Sequence, residues 1–314
     1  MPNNQTRRLT QGAMMIALFA VLIAIAFYIP IINVIATVFA LLPIAWFSAK
    51  YDRTTAIMVA TIAVVITFFF GGVMIIPFSL IFAAIGVAIG DALRTKKSKL
   101  FLLMSSSLTL LFTFVIQYII SLRLFEFDFI KDSMKLMRDS YEQALTLSEQ
   151  LTGKQIVTQE YLNALFDMME MALPASITLA VFALAFILIS VNLPILKRLG
   201  IEVPKFAAFK NMRLPRAILW YYLIVLIINL FVKPEIGTML YVITLNFSFL
   251  LWVLFTLQGL SFIYFIIDEY MAPNFLKVLI TLLAIPLLSF VILLGIIDLG
   301  FNLREFVKGK KQKK

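Results

Sequence analysis

The 314-residue chain has no cysteine and no histidine. Disulfides, thiolate nucleophiles and the Cys/His ligand sets of zinc, haem and iron–sulfur centres are thereby excluded. The side chain that titrates nearest neutral pH is missing as well. Charge is scarce: 14% of residues are Asp, Glu, Lys or Arg, against about 25% in a soluble domain. There is no P-loop, no G-x-S-x-G elbow, no H-E-x-x-H and no G-x-G-x-x-G. With no recognisable nucleophile or dyad in the apolar segments, the sequence predicts neither an enzyme nor a cofactor.

What the chain does contain is hydrocarbon. Hydrophobic residues make up 62% of it, and mean hydropathy is +1.00. In water such a composition would leave large apolar patches exposed. A helical span needs about 20 apolar residues. Leu9–Ala49, Ala56–Ala92, Leu100–Leu122, Ala172–Leu193, Ala217–Val232, Met239–Ile267 and Phe275–Leu299 each supply one or two. The expected architecture is an all-α polytopic transmembrane bundle of 8–9 spans, with the lipid bilayer as its main partner. Leu9–Tyr28 reads as a retained first span, because no A-x-A-like cleavage signature follows it.

The net charge of +10 is a topology signal, not a nucleic-acid footprint, because the basic residues sit in short loops. Arg7 and Arg8 with the loops Lys50–Arg53, Arg94–Lys99 and Lys197–Arg216 hold 14 Lys or Arg against Asp52, Asp91 and Glu202. Six crossings from a cytoplasmic N-terminus put all of these on the inside of a bacterial plasma membrane. They leave Arg123–Met171, with five basic and nine acidic residues, on the outside. The C-terminal third conflicts with itself. Met239–Ile267 as one long helix and Phe275–Leu299 as a further span put the tail outside, although Arg304, Lys308, Lys310, Lys311, Lys313 and Lys314 favour the inside. A hairpin broken near Gln258–Gly259 would reconcile the charges but leaves half-spans whose turn needs burial in protein. The single helix is the expectation.

Within Arg123–Met171, Ile130, Met134, Met137, Tyr141 and Leu145 recur at helical spacing, and Tyr161, Leu165, Met168 and Met169 repeat the pattern. Two amphipathic helices are expected, either a solvated hairpin or a lid. Asp91 beside Arg94, and Asp298 six residues before Arg304, read as carboxylates paired with those arginines. The amides of Asn33, Gln117, Asn192, Asn229, Asn246 and Gln258 read first as packing glue between helices. Gln117, Tyr118 and Ser121 cluster at one end of their span, with Asn33 at the same expected level. These four form the candidate ligand pocket for a small molecule. Ala13, Ala17, Ala20 and Ala24 form a ridge on the first helix, and Gly86 and Gly90 a G-x-x-x-G on the fourth. Such ridges serve packing within the bundle or docking of another membrane subunit.

The opening Gln11-Gly12-Ala13-Met14-Met15-Ile16-Ala17-Leu18, the alanine-spaced first helix and the Pro30 turn resemble the S components of energy-coupling-factor (ECF) transporters. The segment Gly295-Ile-Ile-Asp298-Leu-Gly-Phe301-Asn-Leu-Arg304 resembles the close of the YybS-type family of bacterial multi-pass membrane proteins, whose N-terminal half is similar to S components. The resemblance implies a micronutrient-binding bundle that docks on a coupling subunit through the ridge of the first helix. It also implies a six-helix S-component-like core at 1–198, holding 123–171 as an extracytoplasmic helical segment. A basic cytoplasmic loop at 199–216, transmembrane helices at 217–299 and a basic tail at 300–314 complete the layout. The extra spans after residue 216 and the long 123–171 segment depart from S components. The alternative is a scaffold or assembly factor acting through protein partners.

Overall fold

A computed structural model of the chain describes residues 4–153, 157–204 and 208–312; Lys205, Lys313 and Lys314 of the basic segments lie outside them. The described residues contain helices and no strand. In order they are α1 (Asn4–Tyr28), α2 (Asn33–Ala40), α3 (Leu42–Lys50), α4 (Arg53–Gly71), α5 (Ile75–Arg94), α6 (Lys99–Leu124) and α7 (Phe129–Thr152). They continue with α8 (Gln159–Met171), α9 (Leu173–Arg198), α10 (Ala217–Ile227), α11 (Met239–Glu269), α12 (Phe275–Leu283), α13 (Leu288–Phe301) and α14 (Leu303–Gln312). Six helical segments are long and apolar enough to cross a membrane. Phe69, Phe112 and Phe231 turn outward and are largely exposed, which suits a surface solvated by lipid.

The ends of these helices follow local chemistry. Asp52, Ser98, Thr158 and Thr238 cap α4, α6, α8 and α11 by accepting the backbone N–H of Thr55, Phe101, Tyr161 and Tyr241. The Thr55 amide and hydroxyl hold the Asp52 carboxyl below its usual range. The expected second helix, Ile31–Ala49, divides at Leu41 into α2 and α3, with Pro43 in the first turn of α3.

The chain forms two compact units. The first comprises Met1–Ala144 and Thr178–Lys205, the second Leu145–Ile177 and Phe206–Lys314. In the first, the apolar segment Arg53–Arg94 is 42 residues long and folds back at Gly71–Gly72. Gly72 takes φ +61°, a conformation that glycine adopts without strain. The two arms run antiparallel, with Thr67 Oγ1 donating to Ser79 Oγ at 3.0 Å. At 19 and 20 residues each arm rises about 30 Å, the thickness of the hydrocarbon core. The G-x-x-x-G is spent inside this unit. A Cβ on Gly90 would stand 2.5 Å from the Ala45 carbonyl oxygen, and one on Gly86 would stand 2.9 Å from that of Leu41. The small residues therefore let α5 lie directly on α3. Phe19, Ile23, Leu41, Ile44, Phe47, Ile85 and Ile89 fill the core around this contact.

In the second unit α11 is one continuous helix of 31 residues, as expected. The run Phe275–Leu299 departs from expectation. It breaks at residues 284–287, and α12 and α13 meet at 112°. Pro286 supplies no backbone N–H and disfavours helix at Ile285. α12 runs back along α11: Tyr264 donates to, or accepts from, Thr281 Oγ1 at 2.6 Å, and Lys277 pairs with Asp268. The bend exceeds a right angle, so α13 runs with α11 instead. Gly295 fits between Phe255 and Gly259, and Asp298 reaches Gln258. Both ends of the bent pair thus lie at the Asp268 end of α11. With nine and fourteen residues the arms rise about 14 and 21 Å, each short of a crossing. Arg304 returns to the Lys210 carbonyl, so a pair that enters and leaves on one face would remove the charge conflict in the sequence.

This geometry is directly testable in a chain without cysteine. Single variants Asn274→Cys and Glu305→Cys, in sealed vesicles of one orientation, are expected to react with an impermeant maleimide from the same side. Labelling from opposite sides would turn the pair back into a span.

Candidate functional site

The polar side chains of the first unit gather at the end of α6. Gln117 Nε2 donates to the Pro77 carbonyl at 2.9 Å, tying α6 to α5. Tyr118 Oη donates to Asp128 Oδ1 at 3.1 Å, and the same oxygen accepts the Lys131 amide, which opens α7. Ser121 Oγ donates to the Phe127 carbonyl at 2.6 Å. The Phe129 ring stands edge-on to Phe114 and Tyr118. Three of the four candidate pocket residues therefore come together, and they fasten residues 125–129 over the end of α6. Asn33 opens α2, half-buried, and among the described residues no hydrogen bond joins it to the other three.

The alanine ridge divides. Ala20 is buried and Ala24 half-buried, whereas Ala13 and Ala17 are exposed. The buried face of α1 is the one carrying Met15, Phe19, Ile23 and Ala26.

The densest polar network lies in the second unit, where α11, α13, α14 and residues 209–214 meet. Arg304 and Asp298 pair at 3.0 Å with side chains 2% exposed. The remaining Arg304 nitrogens donate to the Lys210 carbonyl at 2.6 Å and to Ser261 Oγ at 3.1 Å. Gln258 Nε2 donates to Asp298 at 2.6 Å, and its Oε1 accepts the Leu214 amide at 2.9 Å. Ser261 donates to the Phe209 and Met212 carbonyls. An ion pair out of water is tolerable only when its remaining hydrogen-bonding atoms are also satisfied, and these side chains satisfy one another. The Asp298–Arg304 and Asp91–Arg94 pairs expected from the sequence both form. Ser261 and the Gly259–Gly295 crossing were not legible in the sequence, because their partners lie 36–52 residues away. The one visible sign was the repeated juxtaposition of a polar residue with glycine, at Gln258-Gly259 and at Gly295 with Asp298.

Two other amides act as interhelical glue, whereas Asn229 is exposed. Asn192 donates to the Val38 and Leu188 carbonyls. Asn246 donates to Met171 and Val242 and accepts the Ala175 amide at 2.7 Å. No group of His, Cys, Asp and Glu suited to a metal ion occurs among the described residues.

Apolar helices, a lipid-facing exterior and buried polar clasps define a multi-pass helical membrane protein. The chain belongs to the family described as "Predicted membrane protein (DUF2232)", whose model matches residues 17–299. It is similar to a Bacillus subtilis (strain 168) protein named "Uncharacterized protein YybS", with 25% identity over 309 residues, 97% of this chain and 99% of the relative. No solved structure matches the chain.

Proposed function

We propose that this protein is a bacterial plasma-membrane subunit that works by docking onto a second transmembrane protein through the exposed Ala13–Ala17 part of the alanine ridge of α1, its N-terminus in the cytosol. The observation that carries this reading is the exposure of Ala13 and Ala17 beside a separate, fully used packing face. Small side chains gain little from lipid but let a partner helix approach closely. The likeness of this helix to that of ECF S components supports the same surface, with a coupling subunit as its occupant. On that likeness the small-molecule ligand would be a micronutrient held near Asn33, Gln117, Tyr118 and Ser121. The fastening of residues 125–129 over Tyr118 and Ser121 favours a closed end to such a pocket. The role is binding and docking, not catalysis. A scaffold or assembly factor would use the same ridge without a ligand.

The absence of cysteine makes the test simple. A photoreactive group attached at Ala13→Cys or Ala17→Cys is expected to give a discrete adduct with another membrane protein in intact cells. The same group at Leu18→Cys, exposed on a different face, is expected to give lipid adducts alone. Lipid adducts at all three positions would remove the docking surface. Mass spectrometry of small molecules retained in mild detergent then separates a nutrient-binding subunit from a scaffold.

A further inference from the structure

A groove of about 400 Å³ runs along the outside of the α4–α5 hairpin, in the first unit. Its walls are Ile57, Thr61 and Val65 of α4 and Leu80, Ala84 and Val87 of α5. Ala60, Ala83 and Ala88 also line it, and with Ala84 these small side chains leave it open. Thr109 of α6 closes the back, with its hydroxyl already donated to the Ser105 carbonyl at 2.8 Å. Among its lining side chains only Arg53 and Asp91 are charged, and both stand at the same end.

The charges at that end are arranged unequally. Asp91 is held by Arg94, and Asp52, next to Arg53 in the chain, is held by Arg8 at 3.0 Å. Neither acid is therefore committed to Arg53, whose guanidinium is exposed at the first turn of α4. Lys50 closes α3 and Lys96 and Lys97 follow α5; Lys96 is paired with Glu202 at 2.8 Å, and the other two lysines leave the local field positive. From Arg53 to Val65 the groove spans about 18 Å of helix, close to one leaflet of a core about 30 Å thick. A cation at headgroup level above an apolar channel one leaflet long matches one amphiphile. We propose that this groove binds an anionic phospholipid, its phosphate on Arg53 and one acyl chain laid between α4 and α5.

The site takes its affinity from two parts, and each can be removed separately. Full-length protein in detergent would be mixed with equal amounts of phosphatidylglycerol and phosphatidylcholine, and the retained lipid counted by native mass spectrometry. The wild type is expected to hold phosphatidylglycerol about tenfold more often, equivalent to about 1.4 kcal/mol. Arg53→Gln is expected to keep bound lipid but bring that ratio close to one. Ala84→Phe, which fills the channel, is expected to lose lipid of both kinds. If Ala84→Phe fails to fold, Thr61→Trp blocks the groove from the opposite wall. Glycerol 3-phosphate is the remaining arm: binding as tight as that of the whole lipid would mean a phosphate site only and would overturn the groove. A wild type without headgroup preference, or a blocked groove with undiminished lipid, would overturn it equally.

Discussion

Arg304→Met should lower the stability of the C-terminal unit by about 3–5 kcal/mol, the usual cost of leaving one partner of a buried ion pair alone. The substitution strands the Asp298 carboxylate with Gln258 as its remaining donor. It also removes the donors to the Lys210 carbonyl and to Ser261 Oγ. The double variant Asp298→Leu with Arg304→Met should recover part of the loss, because two apolar side chains in place of a buried pair are often neutral. Recovery should stay incomplete, since the Lys210 carbonyl has lost its guanidinium donor. Arg304→Lys should fall between, because an ammonium cannot reproduce the planar fork that reaches three acceptors. Melting midpoints in detergent, together with trypsin cleavage after Lys308, read both effects. Single and double variants melting alike would show that the pair carries no coupling.

The second large effect is steric. A Cβ on Gly259 would sit 2.1 Å from the Val291 carbonyl oxygen, and one on Gly295 would sit 2.1 Å from that of Phe255. Both obstacles are backbone, so neither can rotate away. Gly259→Ala and Gly295→Ala must force α11 and α13 apart, which costs at least the 1–3 kcal/mol typical of overpacking and also pulls Asp298 from Gln258. Gly300, on the same helix, is the internal control, because its added methyl would meet nothing nearer than Leu219 Cδ1 at 3.9 Å. Gly300→Ala should melt within about 0.5 kcal/mol of the parent, as surface changes generally do. Equal midpoints for Gly295→Ala and Gly300→Ala would contradict the close crossing.

Span positions were legible because hydrocarbon demands long uninterrupted apolar runs, and α1, α6, α9 and α11 follow those runs closely. The helical spacing of Ile130, Met134, Met137, Tyr141 and Leu145 likewise corresponds to α7. A break near Gln258–Gly259 was the alternative to a single helix, and α11 runs unbroken through it. Gly259 is where α13 touches, and Gln258 is occupied on both sides by Asp298 and Leu214. The bend at residues 284–287 was hidden inside a run apolar enough to cross, since hydropathy is blind to the one missing N–H of Pro286. Gln117, Tyr118 and Ser121 stand together at the end of α6, but their partners were not legible. A carbonyl such as that of Pro77 leaves no trace in side-chain chemistry. The groove above Arg53 depends on where α4 and α5 diverge, which no one-dimensional pattern records.

The bent pair also constrains how the polypeptide is made. Arg304 closes onto a carbonyl 94 positions earlier in the chain, so the Lys210 carbonyl waits for its guanidinium until α14 is made, although Gln258 and Ser261 already hold residues 209–214. A nascent chain that has emerged only as far as α11 leaves the Gln258 Nε2 group without the Asp298 carboxylate that accepts its hydrogen. A chain cut before Arg304 would keep the buried Asp298 carboxylate without its guanidinium partner.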